Sequence, residues 1–205
     1  MQLTLTQWRK TNNVPTNKLL KQKVSEYIQN RDWYINSINK IKELYPDDYK
    51  LFASILAVTS QQNSINVNVD FTNNTFIAIK NNNSLLAFNY GIAHPSVLSN
   101  LYKVIKGQLP NGNKIRPFNL ALLGDLNQIV IDSHMVKLFN LPRKTPNKTD
   151  IKHISTIINN LASELNLKPC EIQSCLWVYI KTELPNVTNR EIQDYSYYLS
   201  KKELI

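Results

Sequence analysis

Apolar residues return every three or four positions along most of this chain, and that period predicts helices. From Thr16, the residues Leu19, Leu20, Val24, Tyr27 and Ile28 follow it, with lysines between them. Tyr34, Ile38, Ile41 and Tyr45 repeat it, and Pro46-Asp47-Asp48 ends that helix and starts the next. Leu51, Phe52, Ile55 and Leu56 form a dense stripe to about Thr59, expected to be central and buried. Polar residues 60–64 interrupt it, and Ile65-Asn66-Val67-Asn68 opens another helix. The asparagine-rich span 73–83 reads as a loop or a helix end, and 84–90 and 95–106 read as short helices. Residues 1–16 are polar and irregular, with Trp8 as a lone docking residue.

The C-terminal half continues the pattern. Residues 141–148, with two prolines and three basic residues, read as an exposed loop. Thr149-Asp150 caps a helix with Ile151, Ile154, Ile157, Ile158, Leu161 and Leu165 on one face. Pro169 suits the first turn of the next helix. That helix carries Ile172, Leu176 and Tyr179 on one face, with Gln173 and Trp177 beside it. Thr188-Asn189-Arg190-Glu191 is a capping box expected to open a tyrosine-rich last helix. About ten short helices, no clear strand and no repeat make the expected fold class all-α.

One stretch departs from plain amphipathic helix. Leu109-Pro110-Asn111-Gly112-Asn113-Lys114 reads as a glycine turn opening a helix that bears a lysine. Downstream, the apolar, strand-like Ile129-Val130-Ile131 ends on Asp132, followed by Ser133-His134-Met135, and the aspartate can start a helix.

Composition narrows the class of partner. At 205 residues and 42% hydrophobic, the chain can bury the core of one domain, or of one domain in two lobes. No apolar run approaches the roughly 20 residues of a membrane span, and Met1-Gln2-Leu3-Thr4 lacks a signal-peptide pattern. A soluble, cytoplasmic protein with no membrane partner is expected. The net charge of +9 points to a polyanion, and to nucleic acid before membrane, because no basic amphipathic anchor or lipidation signal accompanies it. Lysine (19, against five arginines), asparagine and isoleucine are also the residues of A+T-rich codons, common in phages, and simple solubility charge is the plain alternative. Cys170 and Cys175 read as buried apolar residues. His94, His134 and His153 have no metal-ligand spacing, so no metal or cofactor is expected.

The order of these segments resembles the helix-hairpin-helix DNA glycosylases of the endonuclease III superfamily, and a set of phage proteins derived from them. In those enzymes a Leu-Pro-Gly-x-Gly hairpin leads into a helix with a catalytic lysine, and a Val-Asp-Thr-His motif supplies the catalytic aspartate. The matching residues here are 109–114 and Ile131-Asp132-Ser133-His134, with Lys114 and Asp132 18 apart. Val58-Thr59-Ser60-Gln61 matches the family's Leu-Ser-x-Gln segment. The resemblance covers roughly residues 47–181, with the hairpin helices near 97–123. Residues 1–46 and 182–205 would then be helical extensions completing the second lobe of a two-lobed bundle. The hairpin has one clear glycine, is a residue shorter before the lysine, and is followed by Pro117. The iron–sulfur cysteines of some members are absent.

The resemblance implies a monomer that binds double-stranded DNA, flips a base out of the stack, and cleaves its N-glycosidic bond. Asn111, Gly112 and Asn113, with Lys103, Lys106 and Arg116, would hold phosphates. Asp132 would stabilise positive charge developing on the sugar, or serve only as a helix cap. Lys114 would attack the anomeric carbon, or contact a phosphate. Gln61, Gln62 and His134 would line the base pocket, or cap and pack. Two alternatives keep the scaffold: a phage transferase adding an amino acid or amine to an activated hydroxymethyl-pyrimidine in DNA, and a DNA-binding or virion protein without activity.

Overall fold

The computed structural model describes residues 3–61, 63–81, 95–184 and 191–202. The expected helix at 84–90, His94, Gln62 and Thr188-Asn189-Arg190 lie outside the described residues. The fold is all-α, with no strand among the described residues. In chain order the helices are α1 (Leu5–Thr11), α2 (Asn17–Glu26), α3 (Trp33–Leu44), α4 (Tyr49–Thr59), α5 (Ile65–Lys80) and α6 (Pro95–Ile105). They continue with α7 (Ile115–Leu122), α8 (Ser133–Leu138), α9 (Lys148–Leu165), α10 (Pro169–Glu183) and α11 (Tyr195–Ser200). Among the described residues, no helix is long and apolar enough to cross a membrane.

The chain divides into two compact units. The first comprises Met1–Asp32 and Leu126–Ile192, and the second Trp33–Asp125 and Gln193–Ile205. In the first, the apolar stripe of α9 (Ile154, Ile157, Ile158, Leu161) is buried with Leu20 and Val24 of α2, Met135 of α8, and Ile172 and Leu176 of α10. Each such side chain contributes about 1.5–3 kcal/mol by leaving water. In the second, α4 is buried at Phe52 and Ala53 and from Ile55 to Thr59. Its Ile55 and Val58 pack with Val97, Leu101 and Val104 of α6 and with Ile115 at the start of α7.

Several local expectations are corrected. Residues 5–11 are helix, because Thr4 and Gln7 close a capping box. The buried Trp8 ring, with centroids 6.3 Å from Phe139 and 5.2 Å from His153, also holds α1 down. Helix α5 runs unbroken to Lys80, since Asn68, Thr72 and Thr75 are buried on its inner face. Asn147, rather than Thr149 or Asp150, caps α9, with Asp150 three positions inside completing the capping box. Helix α11 starts at Tyr195 on the cap Asp194, and Glu191 to Asp194 are not helical. The apolar segment before Asp132 is neither helix nor strand.

Asparagine closes helices here as glycine does elsewhere. Asn13, Asn140 and Asn166 take φ of 49°, 51° and 52° just past α1, α8 and α9. At each end, two backbone bonds reach back into the last turn, for example Leu167 N to Ala162 O at 2.9 Å.

Candidate functional site

The second unit contains the hairpin. Helix α6 ends at Ile105, and just past it Gly107, with φ of 69°, lets Gln108 N reach back to Lys103 O at 2.9 Å. The chain then turns through residues 108–114 into α7. Gly112 sits at φ 126°, a conformation that L side chains rarely adopt, and its carbonyl accepts Arg116 N to open the helix. The turn is clamped by one buried amide. Asn100 Oδ1 accepts Asn111 N at 2.7 Å, and Asn100 Nδ2 donates to Asn111 O at 3.0 Å. Asn111, Gly112, Asn113 and Arg116 are thereby left exposed, with Lys106 exposed and Lys103 half-buried at the end of α6. Pro117 falls in the first turn of α7, where its missing N–H costs nothing.

Lys114 stands at the cap position of α7 rather than on it, which corrects the helix-borne lysine expected from the sequence. Its Nζ donates to Ser60 O at 3.0 Å, just past α4. Gln61 Nε2 approaches Val58 O at 3.5 Å, and Asn63 Nδ2 donates to Thr59 O at 2.8 Å. These three side chains satisfy carbonyls that the end of α4 leaves without helical partners. The Lys114 cation also complements the negative pole of α4. Lys114 and Gln61 thus meet at one helix end.

The first unit contains the carboxylate. Cys170 N, freed at the start of α10, donates to Leu126 O at 3.0 Å, and Cys170 Sγ donates to Gln128 O at 3.2 Å. These bonds tie down the segment before α8, Val130 and Ile131 are buried, and Asp132 is half-buried. Asp132 Oδ1 accepts His134 N and Met135 N, both at 3.0 Å, and so caps α8. Asp132 Oδ2 accepts Trp177 Nε1 at 3.0 Å. Three N–H donors therefore hold a half-buried carboxylate, which has about four acceptor directions in all. The His134 ring stands edge-on to Trp177, with centroids 5.9 Å apart.

Helix α10 presents Gln173, Trp177 and Lys181 at four-residue intervals along one line. Gln173 is 4% and Lys181 2% exposed, and Lys181 Nζ lies 4.9 Å from the Trp177 ring centroid. A desolvated cation over an indole face contributes about 2 kcal/mol and restrains the ring that bonds Asp132. Among the described residues, no group of three or more His, Cys, Asp or Glu side chains could hold a metal ion.

The expected site residues thus belong to both units. Asp132 and His134 are together in the first unit, and Lys114, Gln61 and the hairpin residues are in the second. In the sequence Trp177 reads, with Gln173, as core or pocket wall, and nothing links it or Lys181 to Asp132, which lies 45 and 49 residues earlier. A family model described as a family of unknown function, DUF7178, matches residues 20–184. The chain belongs to DUF7178. The DUF7178 span contains the hairpin, Asp132, Trp177 and Lys181, and leaves out Trp8. No curated protein and no solved structure matches the chain.

Proposed function

We propose that this protein is a DNA glycosylase-like enzyme that binds duplex DNA through the hairpin of residues 106–116 and cleaves an N-glycosidic bond with the help of Asp132. The observation that carries this reading is the fixed, half-buried Asp132 carboxylate beside the Trp177 and His134 rings. In the reaction, the C1′–N bond breaks with its electron pair on the departing base. Positive charge develops on the sugar, water adds to C1′, and a proton goes to the base. A carboxylate oriented before the reaction stabilises that charge without reorganising. The exposed turn around Gly112, flanked by Lys103, Lys106 and Arg116, suits a sugar-phosphate backbone.

Incubation with duplexes bearing uracil, oxidised, alkylated or phage-modified bases tests the reading. Release of one base, with the rate lowered about 10²–10³-fold in Asp132→Asn, is the expected result. No abasic product from the panel counts against it.

The Lys114 contact favours a monofunctional enzyme over a lyase. An amine that donates to Ser60 O and closes α4 has a structural task already. Borohydride should therefore trap no protein–DNA adduct, and Lys114→Met should lower stability by about 1 kcal/mol through the lost carbonyl partner. An adduct that disappears in Lys114→Met would restore the lyase reading.

A further inference from the structure

The net charge of the chain is not spread over it. Residues 71–124 hold five cations and no acid, and residues 133–163 hold five cations and one acid. The rest of the chain carries equal numbers of each, so these two stretches account for the whole of the +9. One belongs to the hairpin unit and the other to the unit of Asp132.

Within the second stretch the single acid is withdrawn from the surface. Asp150 is 2% exposed, and its oxygens are taken by Trp8 Nε1, Arg143 Nη1 and Asn147 N at 2.8, 3.1 and 3.0 Å. Outside it, Lys144, Lys148 and Lys152 are exposed, and among the described residues no ion pair reaches them. In the balanced remainder some lysines are paired, as in Lys23 with Glu26 and Glu183, Lys40 with Glu43, and Lys202 with Asp70, while Lys10, Lys18 and Lys50 have no ion pair among the described residues and supply the control. Lys148 and Lys152 are one turn apart on α9, and the exposed face continues through Asn159 and Asn160 with no acid before Glu164. An ordinary solvated helix face mixes both signs at this spacing. Cations backed by amides, with acids removed, are what phosphate oxygens recruit.

From this segregation we infer that the loop before α9 and the outer face of α9 form a second nucleic-acid backbone contact, separate from the hairpin. It rests on the DNA-binding half of the proposed function and not on base excision. Lys144, Lys148 and Lys152 each neutralise a phosphate and release its counterions.

Three variants of the full chain, each losing three cations, test it against a duplex of about 20 base pairs by fluorescence anisotropy across a salt series. Lys144, Lys148 and Lys152 to Ala should lower the slope of log affinity against log salt by about 2–3, and weaken binding roughly tenfold or more. Lys10, Lys18 and Lys50 to Ala, drawn from the balanced remainder, should leave the slope near wild type, with unchanged melting temperatures in both. Equal losses in both variants would reduce the effect to net charge and overturn the inference. No loss in the first variant overturns it too. The third variant, Lys103, Lys106 and Arg116 to Ala, separates the two failures. Loss there alone keeps the hairpin reading and removes the second contact, and loss in the α9 variant alone does the reverse. A wild-type chain that binds no duplex overturns both.

Discussion

Two carboxylates in the first unit have nearly the same local chemistry and opposite surroundings. Asp132 caps α8 and accepts an indole N–H from Trp177 at 3.0 Å. Asp150 completes the capping box of α9 and accepts an indole N–H from Trp8 at 2.8 Å. Each accepts three N–H donors. Asp150, however, is sealed under a fully buried indole and paired to Arg143, whereas Asp132 is half-buried and has no salt bridge among the described residues. Removing solvent turns the first into a peg that fastens α1 to α9. Leaving solvent access keeps the second open to a ligand. Hydrogen-bond count does not separate these two aspartates; burial and pairing do.

That contrast orders the effects of mutation. Trp8→Ala empties a site in the core and orphans a buried carboxylate oxygen, so it should cost about 3–5 kcal/mol by denaturant unfolding. Asp150→Ala should cost about 2–4 kcal/mol, because the buried Trp8 indole loses its acceptor and the capping box opens. Trp8→Phe keeps most of the packing and removes only the donor, for about 1–3 kcal/mol. Trp177→Phe should cost about 1–2 kcal/mol, since water can reach the oxygen it leaves but Phe holds the buried Lys181 cation less well than indole does. Asp132→Asn keeps the cap but sets an amide N–H against the Trp177 indole N–H, so with water able to reach that donor it should cost about 1 kcal/mol or less. A loss at Asp132 as large as that at Asp150 would break the contrast.

The helical plan was legible because it is periodic: the stripes of α4, α9 and α10 are written within single helices. Asp132 was legible as a helix start for the same local reason. What joins distant segments was not. The Trp177 donor lies 45 residues from Asp132, and the Trp8 donor 142 from Asp150. Asn100 clamps Asn111 from inside a helix whose pattern marks it only as polar. In the sequence Lys114 suits a phosphate contact or a nucleophile, and nothing near it indicates the Ser60 carbonyl. Asparagines resembled the residue bias of A+T-rich codons, yet three of them occupy left-handed positions that end helices.

The central claim is that Asp132 faces positive charge developing on a sugar, and it can be tested without knowing the base. Affinity is measured for two duplexes that differ at one abasic position, a cationic pyrrolidine or a neutral tetrahydrofuran, with wild type, Asp132→Asn and Asp150→Asn. Since transition-state mimics bind more tightly than ground-state ones, wild type should prefer the pyrrolidine duplex by roughly 10²-fold. Asp132→Asn should lose that preference, and any Asp150→Asn protein that remains folded should keep it. Equal binding of the two duplexes by wild type would contradict the claim and leave a DNA-binding protein, or a base-modifying enzyme that spares the glycosidic bond.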